Sequence, residues 1–202
     1  MVLLTGCSLK PGASGASADV TALLTSALQD QVAGRSDQAT ATYQKVLKQD
    51  PSNKIAFYNL GVMDQAAGRN ANAEKNYRSA LIADPNFSAA LFNLAIIRTS
   101  AGATAEAIDL YRHVITVEPN NASAHLNLGF LLRATPGSEA AGDAEIKQAV
   151  SIDPTLASRV PQPTATTGAS GASGASGARA TGASGASSAS GASGASGASG
   201  AR

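Results

Sequence analysis

Tryptophan is absent from this 202-residue chain, cysteine occurs once, as Cys7, and histidine twice, as His113 and His125. A lone thiol excludes an internal disulfide and a thiolate cage for zinc or an iron–sulfur cluster. Charge is also sparse: between Val20 and Pro154, 11 Lys and Arg stand against 13 Asp and Glu, a net of −2, with no basic cluster. That balance argues against a groove built to neutralise phosphates, so nucleic acid is not an expected partner. No run of about 18 apolar residues is present to cross a membrane as a helix. Large apolar side chains are fewer than the 44% hydrophobic fraction suggests, because 43 residues are Ala. From residue 161 onward the chain is almost entirely Gly, Ala, Ser and Thr, and residues 1–19 hold a similar patch. About 140 residues are left to fold, enough for one domain.

The usual carriers of chemistry are missing as well. There is no nucleophile paired with a base, no carboxylate pair, no phosphate loop and no metal-ligand spacing. The serines lack a Gly-x-Ser-x-Gly elbow. His113, beside Arg112, is expected on an outer helix face, and His125 in a slot for a packing residue. The chain reads as a non-enzyme with neither cofactor nor metal.

What is present is repetition. An acidic residue precedes proline at Asp50-Pro51, Asp84-Pro85, Glu118-Pro119 and Asp153-Pro154, at steps of 34, 34 and 35 residues. Gly34, Gly68, Gly102 and Gly137 fall near the middle of successive intervals, and Ala39/Tyr43, Ala73/Tyr77 and Ala107/Tyr111 follow them, weakening to Gly142/Ile146 in the last copy. Ahead of each glycine, Leu23/Ala27, Phe57/Leu60/Gly61, Leu91/Leu94/Ala95 and His125/Leu128/Gly129 recur at three- and four-residue steps that share a helix face. Each interval therefore encodes two short helices. A glycine takes a left-handed backbone after the first, and a proline cannot continue the second. The small residues (Ala27, Gly61, Ala95, Gly129, then Ala39, Ala73, Ala107) allow close helix approach, and the tyrosine one turn later is expected to fill the space between neighbouring repeats.

This pattern resembles the tetratricopeptide repeat, with Phe57, Leu91 or His125 in its tryptophan place, and the likeness covers residues 20–153. The resemblance implies an all-α, right-handed solenoid of about four helix-turn-helix repeats, at roughly 20–53, 54–87, 88–121 and 122–156, within a domain spanning 20–160. It also implies that the first helix of each repeat lines a concave face that binds a protein or peptide. The first copy departs from the pattern with Ser26 in a leucine place, and the fourth with an extra residue near Thr135-Pro136, as expected of terminal repeats. Such arrays usually finish in an extra polar-faced helix, for which Thr155 to Val160 is too short. Either the apolar side of the last helix (Ile146, Val150) self-associates or docks a partner, or Leu156 and Val160 fold back over it.

On the first helices an asparagine recurs at 34-residue steps, Asn59, Asn93 and Asn127. An amide can donate to and accept from an extended backbone without demanding a sequence. The expected groove adds an apolar floor of Tyr58, Phe92, Leu126, Val62, Ile96 and Phe130, with Arg98 and Arg133 as charged contacts. The alternative is that the asparagines only join neighbouring helices. In chaperone-tail members of the family, lysines and arginines clamp a terminal carboxylate; here the comparable positions are Leu24, Leu28, Ala89 and Asn93, which disfavours that function.

At the other end, Leu4-Thr5-Gly6-Cys7 resembles a bacterial lipobox, which implies lipidation of Cys7 and membrane attachment in the cell envelope. Six residues precede Cys7, too few for a working signal peptide, so a longer upstream segment is expected. Residues 1–19 are then a signal remnant and a flexible linker, whose polar spacer reaches about 20 Å as a random coil. Small repeat lipoproteins of this kind are associated with pilus or secretion-system assembly, including the tight-adherence group. A soluble cytoplasmic adaptor or co-chaperone and a self-associating structural solenoid are the alternatives. The Gly-Ala-Ser triplets of residues 161–202 lack proline and break phase at Arg179-Ala180-Thr181, which reads as disorder rather than a collagen helix.

Overall fold

A computed structural model describes residues 13–160, which leaves Cys7 and the Gly-Ala-Ser tail outside the described residues. Those residues form α1 (Ala13–Val32), α2 (Ser36–Gln49), α3 (Lys54–Ala66), α4 (Asn70–Ala83), α5 (Ser88–Ser100), α6 (Thr104–Val117), α7 (Ala122–Arg133), α8 (Glu139–Ile152) and a closing 3-10 helix, η1 (Pro154–Arg159). Each helix packs on its neighbours in sequence, most extensively within the pairs α1/α2, α3/α4, α5/α6 and α7/α8. The result is an all-α solenoid of four pairs. α1 starts inside the stretch read as a linker, whose alanines are strong helix formers.

The turns follow from backbone chemistry. Gly34, Gly68, Gly102 and Gly137 have φ of 74°, 72°, 74° and 81°. The residue after each of the first three closes the turn, with Arg35 N–H donating to Asp30 O at 2.8 Å, Arg69 to Asp64 O at 2.8 Å and Ala103 to Arg98 O at 2.9 Å. These bonds occupy carbonyls that the helix end leaves free. Three of the four acidic residues before proline have a purpose that their recurrence alone did not disclose. Asp50, Asp84 and Asp153 accept the backbone N–H two residues on, from Ser52, Asn86 and Thr155 at 3.2, 3.0 and 3.0 Å. The next helices α3 and α7 are capped by Asn53 and Asn121, each accepting an N–H at 2.9 Å.

Within a pair, small faces large. A Cβ on Gly61 would lie 2.6 Å from Cε1 of Tyr77, so the ring rests directly on the α3 backbone. Tyr43, Tyr77 and Tyr111 are all buried at the corresponding places. At the first end of the stack Ser26 is exposed, having no preceding repeat to pack against; the leucine at that place is needed only inside the array. The other end is closed. Leu156 and Val160 fold onto Ile146, Ala149 and Leu126, leaving Ile146 5% exposed. Of the two alternatives for this end, the fold-back of Leu156 and Val160 is the one observed, and η1 supplies over Ile146 the apolar cover that a full helix gives elsewhere. Replacing Leu156 with Asp should therefore uncover that end, with a lower melting temperature and a concentration-dependent mass in light scattering as the checks.

Candidate functional site

The expected groove residues sort into three groups. Tyr58, Phe92 and Asn93, with Ser88, Ala89, Glu118 and Asn121, line a depression of about 220 Å³ between α3, α5 and the start of α7. Ile96, Asn127 and Phe130, with Thr99, Ser100, Tyr111 and Leu131, line another of about 290 Å³ between α5 and α7. Val62 borders a third, more polar hollow with Gln31 and Thr40. Six of the expected residues therefore gather in two neighbouring hollows.

The structure places three others elsewhere. Leu126 is fully buried in the cluster formed with Ile146, Ala149 and Leu156, so it belongs to the core. Arg98, 24% exposed, is held by Glu74 at 3.1 Å and Glu106 at 2.7 Å. Arg78 joins the same two carboxylates at 2.9 and 2.6 Å, closing a four-charge network across α4, α5 and α6. Arg133 pairs with Asp143 at 3.2 Å across α7 and α8. Neither arginine is the free groove cation expected from sequence, because its carboxylate partners come from helices that a local reading does not bring together.

Two of the asparagines join neighbouring helices and the third bonds within its own. Asn93 Nδ2 donates to the hydroxyls of Tyr77 at 3.3 Å and Tyr58 at 3.4 Å, and Asn127 Nδ2 to that of Tyr111 at 3.3 Å. Asn59 instead donates to the Ile55 carbonyl of its own helix at 2.9 Å. Behind them lies a second row that sequence reasoning missed. Tyr43 and Tyr77 donate their hydroxyls to Gln31 at 2.8 Å and Gln65 at 2.7 Å. The signal was available, since Gln31 and Gln65 also stand 34 apart. Burial pushes the Tyr43, Tyr77 and Tyr111 hydroxyls above the ordinary tyrosine range, so they stay protonated donors. Aromatic contacts stiffen the floor, Tyr58 meeting Phe87 at 5.2 Å and Phe92 meeting Tyr111 at 5.7 Å between ring centroids, both edge-on.

His125, 7% exposed, faces Glu145 Oε2 through Nδ1 at 2.6 Å and the Pro119 carbonyl through Nε2 at 2.9 Å. It packs, as its slot implied. His113 Nε2 lies 2.9 Å from Asn86 Oδ1. Among the described residues no group of three His, Cys, Asp or Glu could hold a metal.

The charge network gives a pH expectation. The Arg78 hydrogen bond, ahead of opposing desolvation, holds the Glu106 carboxyl below its ordinary value. A carboxylate with a depressed folded pKa contributes stability above its unfolded value, about 4.3, and that contribution disappears as pH falls through the folded value. Melting temperature should therefore drop on acidification below about pH 4, and Glu106→Gln should be less stable at pH 7 with a shallower acid decline.

Comparison with known proteins supports this fold. A tetratricopeptide-repeat model matches residues 25–63 and 64–116. The crystal structure of MamA is similar with a TM-score of 0.60 at 20% identity, over 69% of this chain and 81% of that one. Pseudomonas aeruginosa pilF is similar with a TM-score of 0.60 at 22% identity, over 70% and 64%. The first repeat domain of Spaghetti (RPAP3), bound to the HSP90 peptide SRMEEVD, gives a TM-score of 0.53 at 23% identity, over 57% and 91%. No curated protein matches significantly in sequence. With the 34-residue step, the left-handed turn glycines and the small-on-large packing, these matches show that the helix pairs of this chain pack in the manner of a tetratricopeptide-repeat solenoid.

Proposed function

We propose that the chain is a non-enzymatic scaffold that holds an extended segment of a partner protein against the face shared by α3, α5 and α7. The observation that carries this reading is the pair of adjoining hollows, which bring Tyr58, Phe92, Asn93, Ile96, Asn127 and Phe130 together on one face. Aromatic and aliphatic walls with a few amides suit a peptide backbone better than a small charged substrate. The Spaghetti domain, caught with a peptide, is a precedent for the fold. The test replaces Asn59, Asn93 and Asn127 by Ala together. Partner capture should be lost. Because the Asn93 and Asn127 bonds are long, the melting cost should stay near or below about 1 kcal/mol per residue. A lower melting temperature with undiminished capture contradicts the reading.

The proposal extends to location. The lipobox-like Leu4-Thr5-Gly6-Cys7 supports a lipid-anchored envelope protein that assists pilus or secretion-channel assembly. Fractionation tests it: the chain expressed from its full native locus should sediment with membranes and turn soluble on Cys7→Ser. Equal solubility of both forms favours the cytoplasmic adaptor.

A further inference from the structure

Glu118 breaks the pattern of the acids before proline. Asp50, Asp84 and Asp153 each accept the backbone N–H two residues on. Glu118 does not. Its one side-chain bond is accepted from Asn121 Nδ2 by Oε2 at 2.9 Å, and among the described residues it forms no ion pair. Its other carboxylate oxygen, Oε1, has no donor among those residues.

The preceding repeat shows what such a carboxylate can hold. There the Lys54 ammonium, at the start of α3, donates to Asp84 Oδ2 and stands 5.3 Å from the centroid of the Phe87 ring. A step of 34 residues carries Asp84 to Glu118 and Lys54 to Ser88. The acid is kept and its internal cation is not, because a serine hydroxyl carries no charge. Ser88 and Glu118 both line the hollow of about 220 Å³, and Tyr58 and Phe92 are among its other walls. A carboxylate without a counter-ion, beside two aromatic side chains, makes a seat for a cation: the charge meets the free oxygen while the adjoining methylenes lie against the rings.

We infer that this hollow takes a basic side chain, lysine or arginine, from the partner segment. The inference rests on the groove reading above and adds the charge that the partner must carry. Charge complementarity favours it over a neutral or acidic occupant. Glu118 is the only charged residue lining either hollow on this face. Arg98 and Arg133 are already held by carboxylates, so an acidic side chain would find no free cation in either of them. The neighbouring hollow, walled by Ile96, Phe130 and Leu131, is the apolar counterpart. A segment that fills both therefore carries a basic residue close to an apolar one.

The test pans a random dodecapeptide phage library against the full chain and against its Glu118→Gln variant, which keeps an oxygen for Asn121 and removes only the charge. Peptides selected on the unaltered chain should be enriched in Lys or Arg near Leu, Ile or Phe, and the basic enrichment should vanish on Glu118→Gln. The best peptide is then titrated calorimetrically, N-acetylated so that its terminus is uncharged. Replacing its basic residue with glutamine should weaken binding to the unaltered chain roughly tenfold and leave binding to Glu118→Gln unchanged. Ser88→Lys, checked for folding by circular dichroism, restores the internal lysine of the preceding repeat and should weaken the basic peptide to a similar degree. Ser100→Trp, at an exposed position in the apolar hollow, blocks the groove without disturbing the core. Selection of neutral or acidic peptides, a basic peptide that binds Glu118→Gln as well as the unaltered chain, or a folded Ser88→Lys that binds it undiminished overturns the inference. If Ser100→Trp still abolishes that binding, the groove reading stands. Selection of no peptide, or binding that ignores Ser100→Trp, removes both readings.

Discussion

Truncation of Tyr77 to alanine is expected to destabilise the fold by about 3–5 kcal/mol, the usual cost of removing a buried aromatic ring. The ring is fully buried against Gly61, where no side chain exists to collapse into the space. Its hydroxyl also ties Gln65 of α3 to Asn93 of α5, so the loss is felt on both sides of a repeat boundary. Tyr77→Phe separates the two contributions: it keeps the ring and should cost only about 1 kcal/mol. Chemical denaturation followed by circular dichroism checks both. A loss below about 1 kcal/mol for Tyr77→Ala contradicts the packing described, since that is less than the transfer term alone.

The second large effect is expected at the crossing of α7 and α8. A Cβ on Gly142 would stand 2.6 Å from the backbone nitrogen of Arg133 and 2.7 Å from the carbonyl oxygen of Gly129. These are main-chain atoms in the middle of a packed pair and cannot swing aside as a side chain would. Alanine gains about 1 kcal/mol of helix propensity over glycine. Overpacking costs about 1–3 kcal/mol or more, and backbone-on-backbone crowding belongs at the upper end, so Gly142→Ala should be a net loss of about 2 kcal/mol. Because repeats contact only their neighbours, the damage should be local. Amide exchange should accelerate through α7, α8 and η1 and change little in α2 to α4. A stabilised Gly142→Ala, or uniform acceleration, contradicts this.

Much of the fold was legible because repeat chemistry is local. The glycine step and the acid–proline step mark backbone conformations that depend on a handful of adjacent residues, and the structure has φ near 74° where the glycines required it. That small residues meet large ones was legible, but the tyrosines were expected between neighbouring repeats, and Tyr77 instead rests on Gly61 of its own repeat. The site was legible only in part. Tyr58, Phe92, Asn93, Ile96, Asn127 and Phe130 do gather, because one register position on successive stacked helices must share a face. Arg98 was misassigned because Glu74 and Glu106, on helices either side, outbid a ligand for its guanidinium. Leu126 was misassigned because Leu156 covers it; the fold-back was one of the two alternatives read from the sequence, but not its contact with Leu126. The asparagines could not be divided between structure and recognition without coordinates. An amide has two ends, and here one is tied to a tyrosine or a carbonyl while the other is open.

The most direct test of the central claim is photocrosslinking in cells of the native host, with a photoreactive residue placed in turn at Phe92, in the hollow beside Asn93, and at Lys48, exposed on α2. The account predicts one protein captured from Phe92, absent from Lys48, and lost when Ser100→Trp blocks the same face. Capture of the same protein from Lys48 as from Phe92, or capture at Phe92 that ignores the block, would contradict a partner segment held in that groove.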